Sequence, residues 1–228
     1  RLSELRVADA DFAQDKFADA IRGYKQFVHD HRSDQEEVTY ARARIAEAQY
    51  KEISESIILP SLAERDQGAT LEAYKEMRGF LHDFPAAKQS KRVCDLFEDV
   101  TVKLVRHELY VARFYLRNDN FDATVSRVQY ALRNYASEPP CQAHLAKRAA
   151  TEVEGGNAAV ALDDSDDIAR TDFGLAPEAL ILLGETYLKM HRWNDARAAF
   201  VAILQRYPES ALIIQARAYL DFMKTQGV

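Results

Sequence analysis

Leu180-Ile181-Leu182-Leu183-Gly184-Glu185-Thr186-Tyr187, followed by Ala196-Arg197-Ala198-Ala199-Phe200 and then by Pro208, is the stretch that decides the fold. Its small and large residues recur at the spacing of a tetratricopeptide repeat, a helical hairpin with a period of about 34 residues. Gly184 leaves room for a second helix to press close. Tyr187 and Phe200 fill the gap between the helices, and Ala196 marks the closest crossing. Pro208 ends the hairpin and lets a new helix begin.

The unit recurs upstream. Val111-Ala112-x-x-Tyr115 matches Leu183-Gly184-x-x-Tyr187, and the match continues through Phe121 and Trp193, Ala131 and Ile203, and Tyr135 and Tyr207. Earlier still, Arg6-Val7-Ala8-Asp9-Ala10-Asp11-Phe12 returns as Arg44-Ile45-Ala46-Glu47-Ala48-Gln49-Tyr50. Three further hairpins follow from this. The first pairs a helix ending near Gln14 with one through Phe17, Ala20, Tyr24 and Phe27. The second pairs a helix over 36–54 with one carrying Ala73, Met77 and Phe80, closed by Pro85, after an inserted segment with Pro60. The third has a long helix over 88–117, a turn at Asp119-Asn120 and a partner helix through Phe121, Val128 and Ala131.

Between 137 and 171 the pattern lapses. Glu154-Gly155-Gly156-Asn157 and Asp163-Asp164-Ser165-Asp166-Asp167 predict an acidic, flexible surface insertion. The expected architecture is all-α: a tetratricopeptide superhelix of about four helical hairpins plus a C-terminal capping helix over 210–224. Its parts are an N-terminal array (1–136), the insertion (137–171), and a last hairpin with its capping helix (172–228).

Composition agrees with long helices and narrows the function. The 228 residues are 47% hydrophobic and 29% charged, with only 8 Gly and 6 Pro, too few breakers for a many-stranded β fold. A net charge of −6 disfavours nucleic acid as a partner, which calls for a basic surface. No run of 18 apolar residues is present. The chain begins at Arg1 without a signal-like segment, so a processed form is expected, with any lipid anchor upstream. Cys94 and Cys141 are too few for a zinc site. Cys94 reads as a small core residue, and a disulfide to Cys141 stays open in an oxidising compartment.

Chemistry-bearing motifs are lacking. Asp172-Phe173-Gly174 has none of the companion motifs of a kinase. The Asp163–Asp167 cluster lacks the Gly and Glu that a calcium loop needs at fixed positions. His29 and His31 are two apart and share no helical face, so an exposed helix end is expected rather than a metal site. Neither a nucleophile motif nor a metalloprotease or phosphate-loop motif occurs. An enzyme is not expected, nor is a cofactor or a metal.

Three stretches carry a family resemblance. Glu64-Arg65-Asp66-Gln67 leads into a helix ending Phe80-Leu81-His82-Asp83-Phe84-Pro85. Arg106-His107-Glu108-Leu109-Tyr110-Val111-Ala112-Arg113-Phe114-Tyr115-Leu116-Arg117 forms a long helix. Ser126-Arg127-Val128-Gln129-Tyr130-Ala131-Leu132-Arg133-Asn134-Tyr135 forms its partner. In this order they resemble the BamD family, outer-membrane lipoproteins of the β-barrel assembly (BAM) machinery. Ala136 departs from the family's usual Pro, and the acidic insertion is unusual.

The resemblance implies a non-enzymatic scaffold on the periplasmic face of the outer membrane, held there by an N-terminal lipid anchor outside this chain. Its partners would be the periplasmic POTRA domains of BamA, other BAM lipoproteins and unfolded outer-membrane proteins. It also implies that Arg127, the arginine of the Arg-Val motif, faces the last POTRA domain, a role suited to a guanidinium that grips a carboxylate with two hydrogen bonds. Another envelope adaptor, serving cell division or peptidoglycan machinery, would share the repeats but not the 106–135 block. A cytosolic carboxylate clamp would need Lys and Asn where the first repeat has Leu5 and Asp9.

Two surfaces are expected from helical spacing. Leu5, Asp9 and Phe12 of the first unit fall beside Tyr40, Glu47 and Tyr50 of the second, an apolar and acidic strip that could receive a client peptide. Inter-repeat core is the alternative for Phe12 and Tyr50. Arg106, Arg113 and Arg117 share one face of the long third helix and could grip an acidic partner or stand in solvent.

Overall fold

A computed structural model of the chain describes residues 2–53, 66–136 and 175–227. Pro60 with its neighbours, the insertion expected over 137–171, and Asp172-Phe173-Gly174 lie outside the described residues. Within them the fold is an all-α tetratricopeptide array: α1 (Leu2–Ala13), α2 (Phe17–Asp30), α3 (Gln35–Glu52), α4 (Gly68–Asp83), α5 (Ser90–Arg117), α6 (Phe121–Ala131), α7 (Leu175–Lys189), α8 (Trp193–Arg206) and α9 (Ile213–Thr225). A π-helical turn, Leu132–Ala136, continues α6.

The second helix of each hairpin buries three residues at i, i+4 and i+7. These are Ala20, Tyr24 and Phe27 in α2; Ala73, Met77 and Phe80 in α4; Thr124, Val128 and Ala131 in α6; and Ala196, Phe200 and Ile203 in α8. In α2, α4 and α8 the small first residue admits the facing helix, and the larger two fill the space beside it. Thr124 takes the alanine position because its hydroxyl is satisfied inside the helix, donating to the Asn120 carbonyl at 2.9 Å. At Gly184 the approach is closest: a Cβ there would lie 2.5 Å from Phe200 Cζ.

Three of the hairpins turn in the same way. Asp15, Asp119 and His191 adopt left-handed φ values of 59°, 55° and 58°. After each, an N–H reaches back five residues to a helix carbonyl: Lys16 to Asp11, Asn120 to Tyr115, and Arg192 to Tyr187. This is a Schellman-type end, and the next helix starts on an aromatic residue, Phe17, Phe121 or Trp193. None of the three left-handed residues is glycine, so each bears a steric cost that the hydrogen bonds offset.

The chain divides into two compact units, and the division falls inside α5, between Thr101 and Val102. In the first unit α1, α2, α3 and α4 pack in succession, and Tyr74 of α4 stacks on Phe97 of α5 with ring centres 5.0 Å apart. In the second, α6, α7, α8 and α9 pack in succession. At 28 residues, α5 is long enough to serve both neighbours, and α6 groups with the C-terminal hairpin. Cys94 sits fully buried in α5 and is disulfide-bonded, so of the two alternatives open in the sequence the core thiol is not a free one. The other cysteine, Cys141, lies outside the described residues.

Candidate partner-binding surfaces

In the first unit, the strip expected on α1 and α3 is brought together around one carboxylate. Asp9 Oδ1 accepts from the hydroxyls of Tyr24, at 2.5 Å, and Tyr40, at 2.8 Å. Arg44 closes the cluster: its Nε donates to the Tyr24 oxygen at 3.4 Å, and its Nη1 donates to Glu47 at 2.7 Å. The Arg44 guanidinium lies 3.7 Å from the centre of the Phe12 ring, a cation–π contact. Phe12 in turn meets Phe17 edge-on. Further along, the Tyr50 hydroxyl donates to Asp99 of α5 at 2.7 Å.

Electrostatics follow from these contacts. Burial, with the Asp9 hydrogen bond added, pushes Tyr40 up to about 12 and Tyr24 higher still. Burial works against the charge on Arg44, but Tyr24 and Glu47 outweigh it and the guanidinium is held more firmly protonated than usual. Leu5 is buried in the α1–α2 core and has no part in the exposed surface. Asp9, Phe12, Tyr40, Glu47 and Tyr50 keep partial exposure, so the strip is a pre-formed polar and aromatic surface that is already satisfied internally. Arg44 at its centre was not singled out by sequence reasoning, although it opens the repeated stretch that begins at Arg6 and again at Arg44.

In the second unit, Arg127 of α6 leans on Glu108 of α5, Nη1 to Oε2 at 3.1 Å. Its side chain stays 44% exposed while Glu108 is only 10% exposed, so the carboxylate acts as a buried strut for a solvent-facing guanidinium. Arg113 pairs with Glu178 of α7. Arg106 and Arg117 are exposed, with no ion-pair partner among the described residues.

Two aromatic side chains join them at helical spacing. Tyr110 is partly exposed, and Phe114 is 51% exposed. Arg106, Tyr110, Arg113, Phe114 and Arg117 thus form one arginine and aromatic face of α5. Sequence reasoning found the arginines and missed Phe114, although its place beside Arg113 was signal enough. Exposed aromatics set among arginines have the composition of interface hot spots.

Among the described residues no three His, Cys, Asp or Glu side chains gather as a metal site, and no helix is long and apolar enough to cross a membrane. Stacked hairpins with pre-formed polar strips define a tetratricopeptide-repeat protein of the adaptor type, and the tetratricopeptide-repeat model itself matches residues 178–210. The family model for the outer membrane lipoprotein YfiO matches residues 2–165. The chain belongs to this family, that of BamD. No curated protein matches it.

Proposed function

We propose that the chain is a non-enzymatic, periplasmic scaffold of the β-barrel assembly complex, binding the POTRA domains of BamA through Arg127 and the Arg113–Arg117 face of α5. The geometry of Arg127 carries the reading. Glu108 fixes the guanidinium without covering it, so the remaining N–H groups can meet a partner carboxylate with little rotamer entropy left to lose. Phe114 supplies the apolar anchor that such an interface needs at its centre. Family membership supports an outer-membrane address, and the disulfide at Cys94 fits an oxidising compartment.

Unfolded outer-membrane proteins are the proposed cargo of the α1–α3 strip, where Phe12, Tyr40 and Tyr50 offer aromatic contact. A photo-crosslinking residue at position 114, in the full-length protein in its native envelope, tests the scaffold reading. Adducts with BamA support it. Adducts confined to another protein reassign the chain to a different envelope complex.

A further inference from the structure

Helix α6 does not end as its counterpart in the last hairpin does. Helix α8 stops at Arg206, whereas α6 runs on into the π-helical turn Leu132–Ala136. On a continuous α-helix, residues five apart stand about 140° apart around the axis, and their side chains do not meet. A π-turn closes its hydrogen bonds between residues five apart and takes up that difference. Tyr130 and Tyr135 show the effect. Their rings meet edge to face with centres 5.8 Å apart, and their hydroxyl oxygens stand 3.4 Å apart.

The two tyrosines are placed unequally. Tyr135 is buried while Tyr130 is 40% exposed, so a fixed ring backs a solvent-facing one. Asn134 ties the turn down, its side-chain amide donating to the Tyr130 carbonyl at 2.8 Å. Packing of the repeat does not call for this device. The sequence match that pairs Tyr135 with Tyr207 puts Ala202 at the place of Tyr130. Turns of the π type inside helices are found mostly where a functional site uses the altered geometry.

Tyr130 lies one turn beyond Arg127, at i+3, where side chains on a helix are neighbours. Each is held from behind and open in front: Arg127 by Glu108 at 3.1 Å, Tyr130 by Tyr135. Little rotamer freedom is left for either to lose on binding. Tyrosine and arginine are also among the residue types that dominate binding energy at protein interfaces.

We infer that Tyr130, held in place by the π-turn, is an anchor of the partner interface on α6. Its ring covers an apolar patch of the partner next to the carboxylate that Arg127 grips. This rests on the reading of Arg127 as a POTRA-binding residue, and it adds the chemistry of the surface that is met. That surface presents an acidic side chain with an apolar patch about 5–6 Å away, the separation that i, i+3 neighbours set. Tyr130 serves the α6 side of the interface as Phe114 serves the α5 face.

The test is calorimetric titration of the whole chain with the POTRA domains of BamA from the same organism. Wild type is compared with Tyr130→Ala, Tyr130→Phe and Phe222→Ala. Phe222, 50% exposed on α9, controls for the loss of any surface aromatic. Binding is expected to weaken about tenfold or more in Tyr130→Ala and to stay within about threefold of wild type in Tyr130→Phe. Phe222→Ala is expected to bind as wild type does. Hydroxyl-radical footprinting of the wild-type chain needs no variant, and decides the matter should circular dichroism show that Tyr130→Ala does not fold. Tyr130 is expected to be protected when the POTRA domains are added. An unchanged affinity in folded Tyr130→Ala, an equal loss in Phe222→Ala, or unprotected Tyr130 overturns the inference and leaves the scaffold reading standing. No binding by the wild-type chain overturns both.

Discussion

Gly184 and Phe200 show how single residues set the helix spacing. Substituting alanine at Gly184 gains about 1 kcal/mol of helix propensity but drives a methyl into a fully buried ring that cannot swing away. Overpacking of this kind costs about 1–3 kcal/mol, so Gly184→Ala is expected to lower stability by about 1 kcal/mol net in chemical denaturation. The left-handed turns act in the opposite sense. Glycine at Asp119 or His191 relieves a steric cost but adds conformational entropy to the unfolded chain, and on balance each change is expected to raise stability by up to about 1 kcal/mol. These turns were not legible in the sequence, because glycine is the usual sign of that conformation and none of the three positions carries it. Tyr40 and Tyr24 make a pH-dependent contribution. Their phenols keep their protons in the folded state beyond the range near 10 where unfolded tyrosine ionises, so the stability they add is complete below pH 10. For Tyr40 it is lost as pH rises through about 12. Absorbance titration at 295 nm is expected to show a late phenolate step that Tyr40→Phe diminishes.

Elements divide their labour by order within each hairpin. Second helices α2, α4, α6 and α8 carry the buried triads. In α2, α4 and α8 the i, i+4, i+7 spacing could be read from the sequence because a small residue leads two larger ones, whereas Thr124 of α6 gave no such sign. First helices are harder to read. The same aromatic and acidic residues serve for core, for internal hydrogen bonds and for exposed contact. Leu5 turned inward, and Tyr50 bonded to Asp99 across to α5, a pairing that no local spacing reveals. For the α1–α3 strip, the double variant Phe12→Ala/Tyr50→Ala is expected to weaken binding of an aromatic-rich client peptide while leaving the helical spectrum intact. An unchanged affinity in a folded variant would assign both rings to packing. Helix α5 poses a different problem. Its length was legible, but the division between compact units inside it was not, since nothing in an unbroken amphipathic run marks where one set of contacts ends and another begins.

At the scale of the whole molecule, the repeats explain the architecture, and the family model over residues 2–165 carries the family assignment. Arg127 links the two, being fixed by a buried carboxylate of the same hairpin and free toward solvent. A guanidinium held in this way should bring salt-sensitive association with an acidic partner surface, the dependence growing with the exposed arginines of α5. The most direct measurement is calorimetric titration of the chain with the POTRA domains of BamA from the same organism at physiological salt, comparing wild type with Arg127→Glu. The expected result is saturable binding by wild type, weakened by about 2 kcal/mol or more in the variant. Saturable binding that Arg127→Glu leaves unchanged would remove the arginine from the interface, and no binding by the wild-type chain would contradict the scaffold assignment itself.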